Sequence, residues 1–237
     1  MDIVIIPTYN EINNIKKLIE KIFALNLDID ILIVDDNSSD GTGELIDKMR
    51  TENSRLNIIH REKKLGYGSA CVQGFKWCFE RNYGCIFKMD ADFSHNPGYL
   101  CIFKEELKTV DFVIGSRYIK GGCIKGWPWY RLFLSRFGNL YARLILNIPV
   151  YDCTTGFNGF NTYVLKNIEI DKIKANGYGF QIELVYRALK KGYKFKEVPI
   201  AFVDRICGVS KISKRIIFEA MVLVWKLKLS EIFKYKK

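Results

Sequence analysis

The chain has 237 residues, 49% of them hydrophobic, and its 37 Lys and Arg outnumber 26 Asp and Glu to leave a net charge of +11. That length fits one large α/β domain with a C-terminal appendage, and no internal repeat or low-complexity linker divides it. No uninterrupted apolar run reaches the roughly 18 residues of a spanning helix, and seven cysteines without a C-x-x-C pair argue against a disulfide framework or zinc site and for buried thiols in a reducing compartment.

"DIVIIP" at the start reads as a buried strand, too short and too uncharged in front for a signal peptide. Ile12, Ile15, Leu18, Ile19, Ile22 and Phe23 then recur at helical spacing. "IDILIVDD" is a second strand, and "NSSDGTGELIDKMR" a turn and helix with Ser38, Ser39 or Asp40 as N-cap. "LNIIH" is a short strand. "GYGSACVQGFKWCFERN" is a helix with a glycine-rich approach, better read as a tight strand-to-helix turn than as a phosphate cradle. "GCIFKMD" is a fourth strand, Asn96-Pro97 read as the N-cap and first residue of the next helix, and "DFVIGS" is a fifth strand.

The second half is less regular. "WYRLFLSRFGNLYARLILN" and "SKRIIFEAMVLVWKLKLSEIF" read as basic helices, apolar over much of their surface. Between them lie a turn-rich "DCTTGFNGF", a helix "GFQIELVYRALKKG" and the strand-like "KFKEVPIAFVDR". Alternating strands and helices predict a mainly parallel sheet flanked by helices on both faces. In such sheets ligands sit beyond the carboxyl ends of the strands, where Asp35-Asp36 and Asp90/Asp92 both fall.

Asp90 and Asp92 are one residue apart, so on an extended chain both carboxylates face one small volume. Like charges so placed need a positive object between them, and Mg²⁺ held by one or two carboxylates plus substrate phosphates at about 2.1 Å meets the need. The charge asymmetry points the same way. Arg117 to Pro149 holds six Lys or Arg and no acid, and Arg205 to Lys237 holds nine basic residues against Glu219 and Glu231. A polyanionic partner follows: nucleic acid, a phosphorylated substrate or an anionic membrane surface.

"IIPTYNE" (Ile5 to Glu11), "IVDDNSSDGT" (Ile33 to Thr42) and "MDADFSHNP" (Met89 to Pro97) resemble the signature of inverting family 2 glycosyltransferases with the GT-A fold. "GSRY" (Gly115 to Tyr118), "GFQIEL" (Gly179 to Leu184) and "EVPIAFVDRICGVSK" (Glu197 to Lys211) are similar, more narrowly, to dolichyl-phosphate mannose synthases without a transmembrane tail. The resemblance implies a GDP-mannose donor, a dolichyl or other polyprenyl phosphate acceptor, and Mg²⁺ or Mn²⁺. It implies that Pro7, Tyr9, Glu11, Val34 and Asp36 line the nucleoside pocket. Asp90, Ala91 and Asp92 would meet ribose, diphosphate and metal, with Asp92 and Asp90 as ligands. Ser94 stands where some members place a metal-binding Gln. Arg117, Arg131, Arg205 and Lys211 match the family's phosphate-binding cations, and Asp92, Arg117, Arg131 and Arg205 are the residues expected to carry catalysis. His95 is a loop residue from which no base chemistry is required.

The same resemblance sets a GT-A domain over residues 1–211, including an interfacial helix at about 130–147, and a membrane-associating amphipathic helix over 212–237. Leu132, Phe133, Phe137, Leu140, Tyr141 and Leu144 beside Arg131, Arg136 and Arg143 suit an interfacial helix. So do Ile216, Ile217, Val224 and Trp225 beside Lys226 and Lys228. Peripheral attachment to the cytoplasmic face of a membrane (the endoplasmic reticulum in a eukaryote), with small membrane-embedded partner subunits, is the implied setting. Two other readings compete. A polyprenyl-phosphate glucosyltransferase using UDP-glucose differs by few pocket contacts. A basic nucleic-acid-binding domain explains the charge but leaves Asp36, Asp90 and Asp92 without purpose, so no nucleic acid partner is expected.

Overall fold

The computed structural model describes residues 1–173, 175–204 and 214–234, without the side chains of 214–217 and 231–234. β1 (Asp2–Thr8), β2 (Ile29–Asp35), β3 (Leu56–His60), β4 (Cys85–Lys88), β5 (Phe112–Ser116), β7 (Asn158–Asn161) and β8 (Phe195–Pro199) form one sheet in the order β3-β2-β1-β4-β7-β5-β8. Only β7 runs against its neighbours. β6 (Cys123–Lys125) and β9 (Ala201–Val203) make a small parallel ribbon. The expected α/β architecture, a mainly parallel sheet flanked by helices, is thus present.

Strand pleating divides the core in two. Ile3 and Ile5 of β1 and Leu32 and Val34 of β2 face one cluster, closed by α3 (Tyr67–Phe79), α6 (Thr162–Asn167) and α7 (Gly177–Lys190). Val4, Ile6, Ile31 and Ile33 face the other, closed by α1 (Ile12–Phe23), α2 (Thr42–Glu52) and α4 (Tyr99–Glu106). α1 shows why the periodicity was readable: Ile15, Leu18, Ile19 and Ile22 are all buried on one stripe, each contributing roughly 1.5–3 kcal/mol by leaving water.

Three expectations are corrected. The turn-rich stretch contains β7, whose Asn-Gly-Phe-Asn composition reads as a loop. It is a strand because it fills the gap between β4 and β5, with Phe160 stacked on Phe112 at 5.6 Å. Gly159 is needed there, since a Cβ would lie 2.8 Å from the Phe87 ring. α2 is capped at Gly41, not at a side chain of 38–40. Asp40 instead accepts the N–H of Thr42 and, from a distance in sequence, that of Ile12, so it ties the starts of α1 and α2 together. α4 begins at Tyr99, two residues after the expected start, because Asn96 Oδ1 accepts the Gly98 N–H and holds a turn first.

α5 (Trp129–Leu146) and α8 (Lys214–Lys234) lie against each other, and α8 also packs on α7. Ala142 and Leu146 of α5 and Val224 and Leu227 of α8 enter the core, which apportions faces that periodicity alone left mixed. No helix among the described residues is long and apolar enough to cross a membrane.

Candidate active site

A cleft of about 490 Å³ opens at the carboxyl edge of the sheet, within the size range of small-molecule sites. It is lined by Pro7, Tyr9, Glu11 and Lys64 together with Asp90, Ala91, Asp92, Thr154 and Gly156. Tyr67, Asn176, Tyr178 and Gln181 complete the wall. The cleft thus draws on β1, the β3–α3 loop, the β4–α4 loop, the approach to β7 and the start of α7.

The two carboxylates converge for a different reason than expected. β4 ends at Lys88, and residues 91–95 form successive bends, with Phe93 at φ 60°. Loop geometry, rather than strand alternation, therefore brings Asp90 and Asp92 to the same cleft. Asp92 is largely buried, and its Oδ1 accepts the Ser94 N–H at 3.1 Å. Asp90 accepts the Tyr67 phenol at 2.9 Å through Oδ1. Gly156 lies so close to Asp90 that a Cβ there would be 2.6 Å from both carboxylate oxygens. Any other residue there would force this carboxylate to move.

The acids ending β2 serve the scaffold. Asp35 takes the hydroxyls of Thr8 and Ser38 and the Ser38 N–H. Asp36 borders the cleft, but its carboxylate binds Arg61 Nη1 at 2.7 Å and the N–H groups of Leu65 and Gly66. The glycine-rich turn before α3 therefore cradles the protein's own carboxylate.

Several expected site residues lie outside the cleft lining. Val34 is fully buried in β2 and points to α3, so it does not line the cleft. Ser94 is buried outside the lining, and its Oγ has no hydrogen-bond partner among the described residues. Arg117 is only 5% exposed: its Nε and Nη2 each lie 2.7 Å from Asp152, and Nη2 also reaches Thr154 Oγ1 at 2.8 Å. It therefore stands one hydrogen bond behind the cleft wall. Arg131 pairs with Asp204 at 3.1 Å and stacks on Trp127, away from the lining. Arg205 and Lys211 lie outside the described residues.

Sequence reasoning missed Lys64, whose ammonium sits 3.7 Å from the Tyr9 ring centroid and puts a cation in the cleft lining. It also passed over Lys88. This fully buried lysine donates to Gly156 O at 2.8 Å, Gln181 Oε1 at 2.7 Å and Tyr67 Oη at 3.4 Å. A lysine within the apolar run "CIFKM" was the available signal, because a charge in a strand covered on both faces needs dedicated partners. His95 is in a loop but sealed, its ring 5.1 Å from Phe157 and 5.5 Å from Phe202, with Nδ1 facing the Asp90 N–H. Burial pulls its imidazole below the ordinary value, with Asp90 and Asp92 opposing.

Residues 3–169 match the model of glycosyl transferase family 2. The chain belongs to that family. A polyprenol monophosphomannose synthase of Mycolicibacterium smegmatis is 41% identical over 224 residues, covering 94% of this glycosyltransferase and 84% of that protein. An undecaprenyl-phosphate mannosyltransferase of Micrococcus luteus is 40% identical over 220 residues, covering 93% and 90%. Among solved structures, the glucosyl-3-phosphoglycerate synthase of Mycobacterium tuberculosis with Mn²⁺ and UDP superposes with a TM-score of 0.66 at 18% identity, over 96% of this chain and 79% of that one. A Pyrobaculum calidifontis mannosyltransferase with GDP-Man and Mn²⁺ gives 0.59 at 16% identity, over 93% and 69%. These two likenesses establish the GT-A fold of the glycosyltransferase.

Proposed function

We propose that this glycosyltransferase moves a mannosyl group from GDP-mannose to a polyprenyl phosphate with inversion at the anomeric carbon. One observation carries the reading: a single cleft is lined both by an aromatic, acidic and cationic set, Tyr9, Glu11 and Lys64, and by the paired carboxylates Asp90 and Asp92. The first suits a nucleoside and the second a diphosphate with its counter-cation. The two 40–41% identical relatives are named for mannose transfer to a polyprenyl phosphate.

Asp90 and Asp92 suit a hard divalent cation such as Mg²⁺ or Mn²⁺, since both offer only oxygen. Among the described residues no group of three or more His, Cys, Asp or Glu gathers to hold a metal, so substrate phosphates would supply the remaining positions. When bound, the cation supplies positive charge for the departing diphosphate.

The residues themselves orient the reaction. Tyr9 and Lys64 hold the nucleoside, and Asp90 and Asp92 set the diphosphate. The acceptor is a phosphate monoester with a second pKa of about 6, already largely a dianion at neutral pH. Its oxygen attacks the anomeric carbon as the bond to GDP breaks, and GDP leaves with the bonding electron pair. No proton is removed from the nucleophile, so His95, enclosed by aromatic rings, is not needed as a base. Arg205 and Lys211 are the cations we assign to the acceptor phosphate, and Arg117 supports the wall through Thr154.

The lipid tail of such an acceptor stays in a bilayer, and α5 presents a surface to meet it. Trp129 is 79% exposed and Leu144 69%, with Phe133, Leu134, Phe137 and Leu140 also exposed along the helix. Phe218, Met221, Trp225 and Leu229 of α8 are exposed as well. Basic residues flank both rows, the pattern of a peripheral anchor on anionic lipid.

The test is hexose transfer by the purified chain from labelled GDP-mannose, with labelled UDP-glucose as a parallel arm, to undecaprenyl or dolichyl phosphate in detergent, with Mn²⁺ or Mg²⁺ and an EDTA control. Transfer abolished by EDTA supports the proposal. Preference for UDP-glucose, or no labelled lipid in any arm, overturns it; activity appearing only with added membranes points to partner subunits.

A further inference from the structure

The carboxylate end of the cleft is built on a buried cation. Lys88 has three ammonium donors and three acceptors around them: the Gly156 carbonyl, the Gln181 amide oxygen and the Tyr67 phenol oxygen. Two of these adjoin Asp90. Gly156 sits where a Cβ would be 2.6 Å from both carboxylate oxygens, and the Tyr67 hydroxyl donates to Oδ1 at 2.9 Å. Because Tyr67 Oη accepts from Lys88, its single hydrogen is left to point at Asp90.

We propose that Lys88 is a positioning residue for the metal and diphosphate end of the cleft, acting through Tyr67 and Gly156 to fix the Asp90 carboxylate in one orientation. The inference rests on reading Asp90 and Asp92 as that end. A carboxylate anchored by one oxygen from inside the protein presents its other lone pairs to a ligand without paying to order itself on binding. Hydrogen-bonded partners behind a metal ligand typically change metal affinity 10–100-fold. Lys88 also lies under the site as a positive charge, and a role through charge alone has the opposite sign: removing it would tighten cation binding.

The experiment measures Mn²⁺ binding to the full chain at saturating GDP, from the electron paramagnetic resonance signal of free Mn²⁺, for the wild type, Tyr67→Phe, Lys88→Met and the double variant. The expected result is a Kd raised about 10-fold or more by either single change, with the double variant no worse than the more severe single one. An unchanged Kd in Tyr67→Phe overturns the proposal. So do independent, multiplying losses, or tighter Mn²⁺ binding by Lys88→Met. Tyr67→Phe keeps the ring packed against Phe180, so it decides the matter even if Lys88→Met does not fold. A wild-type chain that binds no Mn²⁺ with GDP refutes the reading of the site itself, and this inference with it; wild-type binding indifferent to both variants refutes the inference alone.

Discussion

Arg61 Nη1 lies 2.7 Å from Asp36 Oδ1, and both side chains are almost entirely buried. The pair joins the end of β2 to the loop that carries Lys64 and Gly66 to the cleft. Breaking a buried pair strands the remaining charge and costs about 3–5 kcal/mol. Arg61→Met should therefore lower unfolding free energy by about that amount in urea titrations. Arg61→Met combined with Asp36→Asn should recover part of it, because no uncompensated charge stays behind.

Asp92→Ala should leave the fold intact and reduce mannose transfer by at least about 10²-fold, the scale set by losing one preorganised electrostatic contact to developing charge. Thermal melting and a single-turnover assay check the two halves. An unaltered rate would remove Asp92 from the site.

Arg117 and Asp152 separate a supporting role from a direct one. If Arg117 acts by holding Thr154 in the wall, Asp152→Asn, which keeps the guanidinium, should reproduce most of the loss seen in Arg117→Ala. Comparing kcat and acceptor KM in the two variants distinguishes them. A normal Asp152→Asn beside an inactive Arg117→Ala would make Arg117 a phosphate contact instead.

Phe133 and Phe137 stand exposed on α5. Changing both to Asp should shift melting little, since exposed substitutions usually stay within about 0.5 kcal/mol. Each ring buried in lipid contributes roughly 1.5–3 kcal/mol, so co-sedimentation with anionic vesicles should fall at least about 100-fold. Equal sedimentation would place the membrane contact elsewhere.

Burial pushes the thiols of Cys71 and Cys78 up to about 12, which leaves on the order of 10⁻⁴ of each as thiolate at pH 8. Cys123 is exposed. A thiol reagent at pH 8 should label Cys123 within minutes and Cys71 and Cys78 only after denaturation, as read by peptide mass spectrometry. Rapid labelling of Cys71 in the native protein would contradict the packing of α3.

β1, β2, β4 and β5 were legible because a parallel strand covered on both faces must be apolar at nearly every position, and α1 because one face alone is buried. Asp90 and Asp92 were legible because charges ending an apolar run stand out. Asp36 was legible as an acid at the sheet's edge, but nothing local shows that Arg61, twenty-five positions on, pairs with it. The sequence by itself thus determined the family, the strand-helix alternation and which acids reach the sheet's edge, since all three follow from short-range pattern. Only the tertiary structure decided the strand identity of β7, the withdrawal of Arg117 behind Thr154, the arrival of Lys64 beside Tyr9 and the placing of Lys88 beneath Asp90. Those depend on which distant segments share a volume, and burial and pairing across the sheet, not neighbouring residues, settle that.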